Sequence, residues 1–260
     1  MKLNTNARII TRKHIMPGYK LLKINAPDIA RSAQPGQFLH IRCSDTSDPL
    51  LRRPISIHSV DSEKGTVSLL YRVAGRGTVR LFDSEVLDVM GPLGKGFSLP
   101  PSDSRVLVVG GGIGIAPLYF LLQELSKRGT VVDVFLGASS AEHLLMVKDI
   151  KELGHRLQVA TDDGSAGYHG PVTGLCPPDL VCRMDEVFAC GPKPMLRALA
   201  MILEDNNVPG QFSLEERMGC GVGACLACAC KTKKNTKDEF FYSHVCVDGP
   251  VFYAREVVWE

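Results

Sequence analysis

The sequence predicts an α+β chain in three parts: an antiparallel β-barrel over residues 1–100, an α/β unit with a parallel sheet over 101–212, and a small segment over 213–260. Three observations predict it. Short β-prone runs separated by Pro, Gly, Asp and Ser fill the first part. Apolar strand-like runs alternate with helical stretches in the second. In the third, five of the nine cysteines crowd into a glycine-rich stretch and its sequel, up to Cys246.

In chain order, ARIITRKHI (7–15), YKLLKINA (19–26), QFLHIRC (37–43), ISIHSV (55–60) and TVSLLYRV (66–73) read as strands of a barrel or sandwich. LFDSEVLDVM (81–90) adds a short helix and a strand. The pattern changes near Pro100-Pro101. RVLVVG is a buried strand, and PLYFLLQELSKRG is an amphipathic helix ended by Gly129. TVVDVFLGAS, RLQVATDDG and DEVFACGP follow as strands; EHLLMVKDIKELG and PMLRALAMILEDNNV follow as helices. Repeated βα units imply a parallel sheet covered on both faces. The last part is too short to fold without a staple.

Composition excludes several function classes. Apolar residues make up 45% and charged residues 22%, enough for sizeable cores. The formal net charge of +2 provides no general field for nucleic acid or anionic lipid. KTKK (231–234) reads as a solvated turn. The N-terminus lacks a basic start followed by an apolar core, so a cytoplasmic protein is expected. VLVVGGGIGIAPLYFLL (106–122) is long and uncharged, but its four glycines and proline fit strand, turn and helix start better than a membrane span. Cys43, Cys176, Cys182 and Cys190 sit among apolar neighbours and read as small buried hydrophobes.

The turn VVGGGIGIAPLYF spaces Gly112-x-Gly114-x-x-Pro117 between a strand and a helix. Glycines there let backbone approach a pyrophosphate, and the helix start offers unpaired N–H groups. Pro117 suits a first helical turn; a plain tight turn is the alternative. Asp162 and Asp163 either form a turn or lie near an adenosine ribose, where they would repel a 2′-phosphate and favour NAD(H). In the barrel, Arg53-Pro54-Ile55-Ser56 offers a guanidinium fork and a hydroxyl able to clasp a pyrophosphate. Leu70-Tyr71-Arg72 and Gly77-Thr78 follow.

Arg-x-x-Ser on a barrel strand, Gly-x-Gly-Thr, Gly-Gly-x-Gly-x-x-Pro and Cys-Gly-Pro-x-Pro-Met together resemble the ferredoxin–NADP reductase superfamily over residues 5–212. The resemblance implies FAD held by Arg53, Pro54, Ile55, Ser56, Leu70, Tyr71, Arg72, Gly77 and Thr78. It implies a nicotinamide nucleotide lined by the Gly112–Pro117 loop and the turn at Cys190, Gly191 and Pro192. Ile55 stands where many relatives carry a flavin-packing tyrosine, which leaves Tyr71 as the candidate.

Cys220, Cys225 and Cys228 space C-x4-C-x2-C, followed at a distance by Cys246. That is plant-type [2Fe–2S] spacing. Gly219, Gly221 and Gly223 let the chain curl with amides toward the sulfurs. A zinc site prefers two short knuckles, and the second is missing. A disulfide is disfavoured without export. Cys230, a possible replacement for Cys228, reads as a spectator.

With this segment attached, the whole chain is similar to the electron transfer subunits of type B dihydroorotate dehydrogenases. That resemblance implies an FMN-containing catalytic partner subunit that oxidises dihydroorotate in pyrimidine biosynthesis, in a heterotetramer of two of each. Flavin exchanges both electron pairs and single electrons, so it belongs between NAD and the cluster. No nucleophile–base pair stands out, and no catalytic residue is nominated. The alternatives are a small subunit of a ferredoxin:NADPH oxidoreductase, sulfide dehydrogenase or hydrogenase, or a zinc-stapled binding protein.

Overall fold

A computed structural model of the chain describes residues 3–44, 46–233 and 239–259. The first part contains β1 (Leu3–Met16), β2 (Tyr19–Asn25), α1 (Pro27–Ser32), β3 (Phe38–Ile41), β4 (Arg53–Ser56), β5 (Ser59–Asp61), β6 (Thr66–Arg72), α2 (Arg76–Asp83) and β7 (Val86–Leu93). The strands form an antiparallel sheet in the order β4-β3-β7-β1-β2-β6-β5. Its two edges, β4 and β5, are separated only by Ile57 and His58, so the chain joins one edge to the other and closes a barrel. At the joint the Ile57 N–H donates to the Gln37 carbonyl (3.0 Å) and the His58 N–H to the Ser68 carbonyl (2.9 Å). Alternation fills the interior: along β7, Leu87, Val89 and Leu93 turn inward to meet Leu22, Ile24, Ile41 and Leu69 or the neighbouring core.

The second part contains β8 (Val106–Gly111), α3 (Ile115–Lys127), β9 (Asp133–Ala138), α4 (Val147–Glu152), β10 (Arg156–Thr161), β11 (Tyr168–His169), α5 (Pro178–Val181), β12 (Glu186–Cys190), α6 (Lys193–Asp205) and β13 (Gly210–Ser213). The C-terminal segment adds β14 (Ala229–Lys233), β15 (Phe240–His244) and β16 (Val251–Tyr253). The sheet order is β11-β10-β9-β8-β12-β13-β16, parallel except for β16. All six residues of β8 are buried, because helices cover both faces. Val108 and Phe188 pack under Leu121 and Leu125 of α3 on one face; Leu107 and Val109 pack under Leu199 and Leu203 of α6 on the other.

The staple that the last segment needs is this sheet. β16 pairs antiparallel with β13, Phe252 opposite Phe212. Cys228, Val245 and Cys246 share a small core with Phe38 and Leu93 of the barrel. The halves are also joined directly. His58 donates from Nδ1 to the Ala116 carbonyl at 2.9 Å and stacks on Tyr119.

Three expectations need correction. The helix expected over 142–154 is a 3-10 turn at Ala141–His143 followed by α4 alone. Leu144 and Met146 leave helical geometry so that Leu145 can plug the core beside α3. Lys231 to Lys233 lie in β14 rather than in a turn, and Lys234 lies outside the described residues. Cys182 is exposed, whereas Cys43, Cys176 and Cys190 are buried. Among the described residues no helix is long and apolar enough to cross a membrane.

Candidate functional site

Two clefts and a thiol loop meet where the barrel, the parallel sheet and the C-terminal segment converge. The barrel-side cleft, about 520 Å³, is lined by Arg53, Pro54, Ile55 and Ser56 of β4, Leu70, Tyr71 and Arg72 of β6, and Thr78 of α2. Eight of the expected flavin residues therefore come together. Gly77 acts from beneath. A Cβ there would lie 2.9 Å from Nε of Arg53, so its absence lets the guanidinium rest on the first turn of α2. Thr78 shapes that turn: its Oγ1 accepts from the N–H groups of Ala74 (2.9 Å) and Gly75 (3.1 Å). A fixed cation over a helix start suits a pyrophosphate. Tyr71 borders the cleft but also belongs to the core. Its ring packs in the barrel core with Val67 and Leu69, and its hydroxyl is buried without a partner among the described residues. Burial pushes that phenol up.

The sheet-side cleft, about 570 Å³, opens at the carboxyl ends of β8 and β12, where parallel sheets bind nucleotides. Gly112, Gly114, Gly191 and Pro192 line it, as expected. Pro117 instead lines the barrel-side cleft, and Cys190 lies beneath the floor, fully buried. Cys190 serves through its backbone: a Cβ on Gly114 would sit 2.2 Å from its carbonyl oxygen. Burial, then Glu215, pushes its thiol up, so it stays protonated. Asp162 and Asp163 form a turn at the end of β10. The Asp163 carboxylate accepts from the N–H (2.9 Å) and hydroxyl (2.6 Å) of Ser165, whose Oγ accepts from the Ala141 N–H.

The clefts share a wall. Arg72, Ile113, Leu214 and Glu215 line both. Glu215 faces the open cleft, yet the surrounding protein desolvates it and pushes its carboxyl up. Sequence reasoning missed this residue, together with Tyr242 and Trp259 of the sheet-side cleft. Nothing in the sequence marks them, because their position depends on β16 folding back. Trp259 is fixed by Phe212 and by donating to the Ala254 carbonyl at 3.0 Å.

The thiol loop has no regular structure between Ser213 and Ala229. Its cysteines sort into two pairs, Cys220 with Cys225 and Cys228 with Cys246, each in side-chain contact, and Cys220 lies close enough to Cys246 to act on it. Backbone amides point inward: Val222 N–H donates to Cys220 Sγ at 3.4 Å, and that contact first of all brings the Cys220 thiol down to about 6. Burial pushes Cys246 up to about 12. Amides converging on paired thiols fit a cluster with bridging sulfides. Among the described residues, no three His, Cys, Asp or Glu converge as a site for a single metal ion. Cys230 turns away: it lines the sheet-side cleft, and burial lifts its thiol to about 11.

Under the loop lies His40 of β3, fully buried, with neither ring nitrogen in a hydrogen bond among the described residues. Burial and then Arg52 hold its pKa down to about 4. Arg52 is itself fixed by the Asp88 carboxylate at 2.9 and 2.8 Å.

Comparison with known proteins follows this division. The iron–sulfur cluster binding domain of dihydroorotate dehydrogenase B matches residues 215–258, and an oxidoreductase NAD-binding domain matches residues 108–200. The electron transfer subunit of dihydroorotate dehydrogenase B (NAD(+)) from Desulforamulus reducens is 44% identical, covering 98% of both chains. Its counterpart from Geobacillus kaustophilus is 47% identical, covering 86% of this chain and 87% of its own. A solved NADH-dependent reduced ferredoxin–NADP oxidoreductase aligns with a TM-score of 0.84 at 32% identity, covering 97% of this chain and 90% of that one. A ferredoxin NADP+ reductase from Neisseria gonorrhoeae, at 19% identity and TM-score 0.63, covers 78% of this chain and 91% of that one and shares the fold. Identity of this extent, running through both clefts and the thiol loop, places the chain in the family of dihydroorotate dehydrogenase B (NAD(+)) electron transfer subunits.

Proposed function

We propose that the chain holds FAD in the barrel-side cleft, NAD(H) in the sheet-side cleft and a [2Fe–2S] cluster on Cys220, Cys225, Cys228 and Cys246. It thereby passes electrons from an FMN-containing subunit that oxidises dihydroorotate to NAD+, in pyrimidine biosynthesis. One observation carries the reading: the barrel-side cleft shares walls with both other sites. Arg72, Ile113, Leu214 and Glu215 separate it from the nucleotide cleft. On its other side Met218 lines it two residues before Cys220, a span of at most about 7 Å of chain. Pro250 lines it four residues after Cys246.

When bound, flavin exchanges electron pairs with nicotinamide and single electrons with iron. The chain's own residues supply placement. Arg53 and the start of α2 hold the pyrophosphate of FAD, and Ser56 and Leu70 border its ring. The amides of the Gly112–Gly114 turn, ahead of α3, receive the dinucleotide phosphates. Asp163 and Glu142, with no lysine or arginine on the Ser139–His143 stretch, favour an unphosphorylated ribose. Two thiol pairs suit two irons better than one zinc. A partner in a heterotetramer of two of each would dock over the cluster loop, whose Leu226 is 74% exposed.

The test is an absorption spectrum with iron and sulfide analysis of anaerobically purified protein. About two irons and two sulfides per flavin are expected. A colourless protein with stoichiometric zinc would refute the assignment. The likeness to the NADH-dependent ferredoxin–NADP oxidoreductase favours a second reading, a subunit of that type of complex. Co-purification of an FMN subunit active on dihydroorotate decides between them.

A further inference from the structure

His40 is used by neither cleft, yet it occupies the joint between the flavin strand and the cluster loop. It lies opposite Pro54 in the β3–β4 ladder and opposite Met90 in the β3–β7 ladder. Its ring fills the space beneath Gly221. A Cβ at that glycine would lie 2.5 Å from Nδ1 and 3.1 Å from Cε1, and Gly221 has φ +70°, a conformation that glycine tolerates best. The ring faces the backbone carbonyls of Arg52 and Cys220 without reaching hydrogen-bond geometry with either. Arg52, held on Asp88, also donates to the His40 carbonyl at 3.3 Å.

Such a side chain is costly as mere filling. A buried polar group without a partner loses the hydrogen bonds that it makes to water, whereas an apolar side chain of similar volume has none to lose. Neutral imidazole carries one N–H and one lone pair, so one ring nitrogen can donate to a carbonyl. The carbonyl on the loop side belongs to the first cysteine of the thiol motif.

We propose that His40 is a positioning residue for the iron–sulfur centre: its ring N–H donates to the Cys220 carbonyl and fixes the first turn of the cluster loop on the strand next to the flavin clasp. This rests on reading Cys220 as a cluster ligand. The orphaned nitrogen is then the half of a contact that cluster loading completes. The bulk of the ring, stopped by Gly221, sets how near the loop can come.

The experiment compares the holoprotein with His40→Leu, which fills the space without an N–H, and His40→Gln, which retains one. The readouts are iron release to a chelator, the electron paramagnetic resonance spectrum of the reduced cluster and its midpoint potential; bound flavin reports that each variant is folded. His40→Leu should release iron about tenfold faster, within the range seen for residues behind metal ligands. Its resonance and potential should shift, and His40→Gln should stay close to the parent. Gly221→Ala, pressing on the ring from the other side, should reproduce the His40→Leu signature. Parent-like iron release and spectra in His40→Leu, or equal damage in His40→Gln, would overturn the assignment. A parent protein that binds flavin but shows no cluster signal would instead refute the reading of Cys220 itself.

Discussion

The molecule has two glycine-rich loops, and different neighbours constrain their glycines. In the nucleotide loop, Gly114 has no room: its α-carbon passes so close to Cys190 that a methyl would strike backbone at 2.2 Å. In the cluster loop, Gly221 and Gly223 have φ of +70° and +79°, so the conformation of the chain counts too, and the nearest obstacles are the His40 and Val247 side chains rather than backbone. The first loop is wedged between the wholly buried β8, the largely buried β12 and the buried face of α3. The second has no regular structure and depends on its thiols, its small core and its neighbours for shape. One is a rigid seat for an anion; the other is a wrapping that its contents complete.

This contrast can be broken by substitution. Gly114→Ala should have the largest effect. The obstacle is a carbonyl in a packed sheet, so overpacking costs about 3 kcal/mol or more. Calorimetry should show a destabilised protein, and NADH should no longer reduce its flavin. Wild-type melting with intact NADH reduction would show that the seat is softer than its packing indicates.

His58 offers a comparable effect through pH. It ties the nucleotide-loop helix to the barrel, and burial first of all lowers its pKa from 6.5 to about 4, against the opposing pulls of the Ala116 carbonyl and Asp149. The unfolded chain therefore binds the extra proton first. Stability is flat above about pH 6.5 and falls as pH drops toward 4, by about 3 kcal/mol for this group. His58→Gln keeps a donor for Ala116 and should flatten the acid side of the melting-temperature profile. An unchanged slope would remove His58 from the account.

Gly223→Ala comes next. A left-handed φ costs a non-glycine residue about 1–2 kcal/mol, and the nearest obstacle is the Val247 side chain at 2.9 Å. The protein should fold, bind flavin and oxidise NADH with a soluble dye, yet lose iron faster to a chelator. Loss of flavin instead would mean that the loop supports the barrel. The smallest effect is expected for Cys230→Ser, which should retain its iron, whereas Cys228→Ser should lose it; the reverse result would exchange the two as ligands.

The same contrast explains what could be read in the sequence. The barrel and the parallel sheet were legible because alternation and βα periodicity report burial locally, as in the wholly apolar β8. Cys220, Cys225 and Cys228 stood out in the sequence because their spacing is one that iron–sulfur chemistry uses. The shared wall was not, since Arg72, Ile113 and the Leu214-Glu215 pair come from three separate stretches that only the tertiary fold brings together. His40 was hidden too: on a short strand it reads like any other inward residue, and its significance lies in Gly221, far along the chain. Tyr71 was named because Ile55 stands where relatives carry a flavin-packing tyrosine; that it also packs with Val67 and Leu69 in the barrel core is a tertiary fact. Leu145 overrode the helical pattern of its segment because a tertiary pocket outweighed local propensity.

The central claim is that the barrel-side cleft stands between the other two sites. Rapid mixing of anaerobic holoprotein with NADH, followed by flavin absorbance and freeze-quenched electron paramagnetic resonance, tests it most directly. The account predicts that flavin is reduced first, that the cluster signal follows, and that protein stripped of flavin shows no cluster reduction by NADH. Cluster reduction at an undiminished rate in flavin-free protein would contradict it.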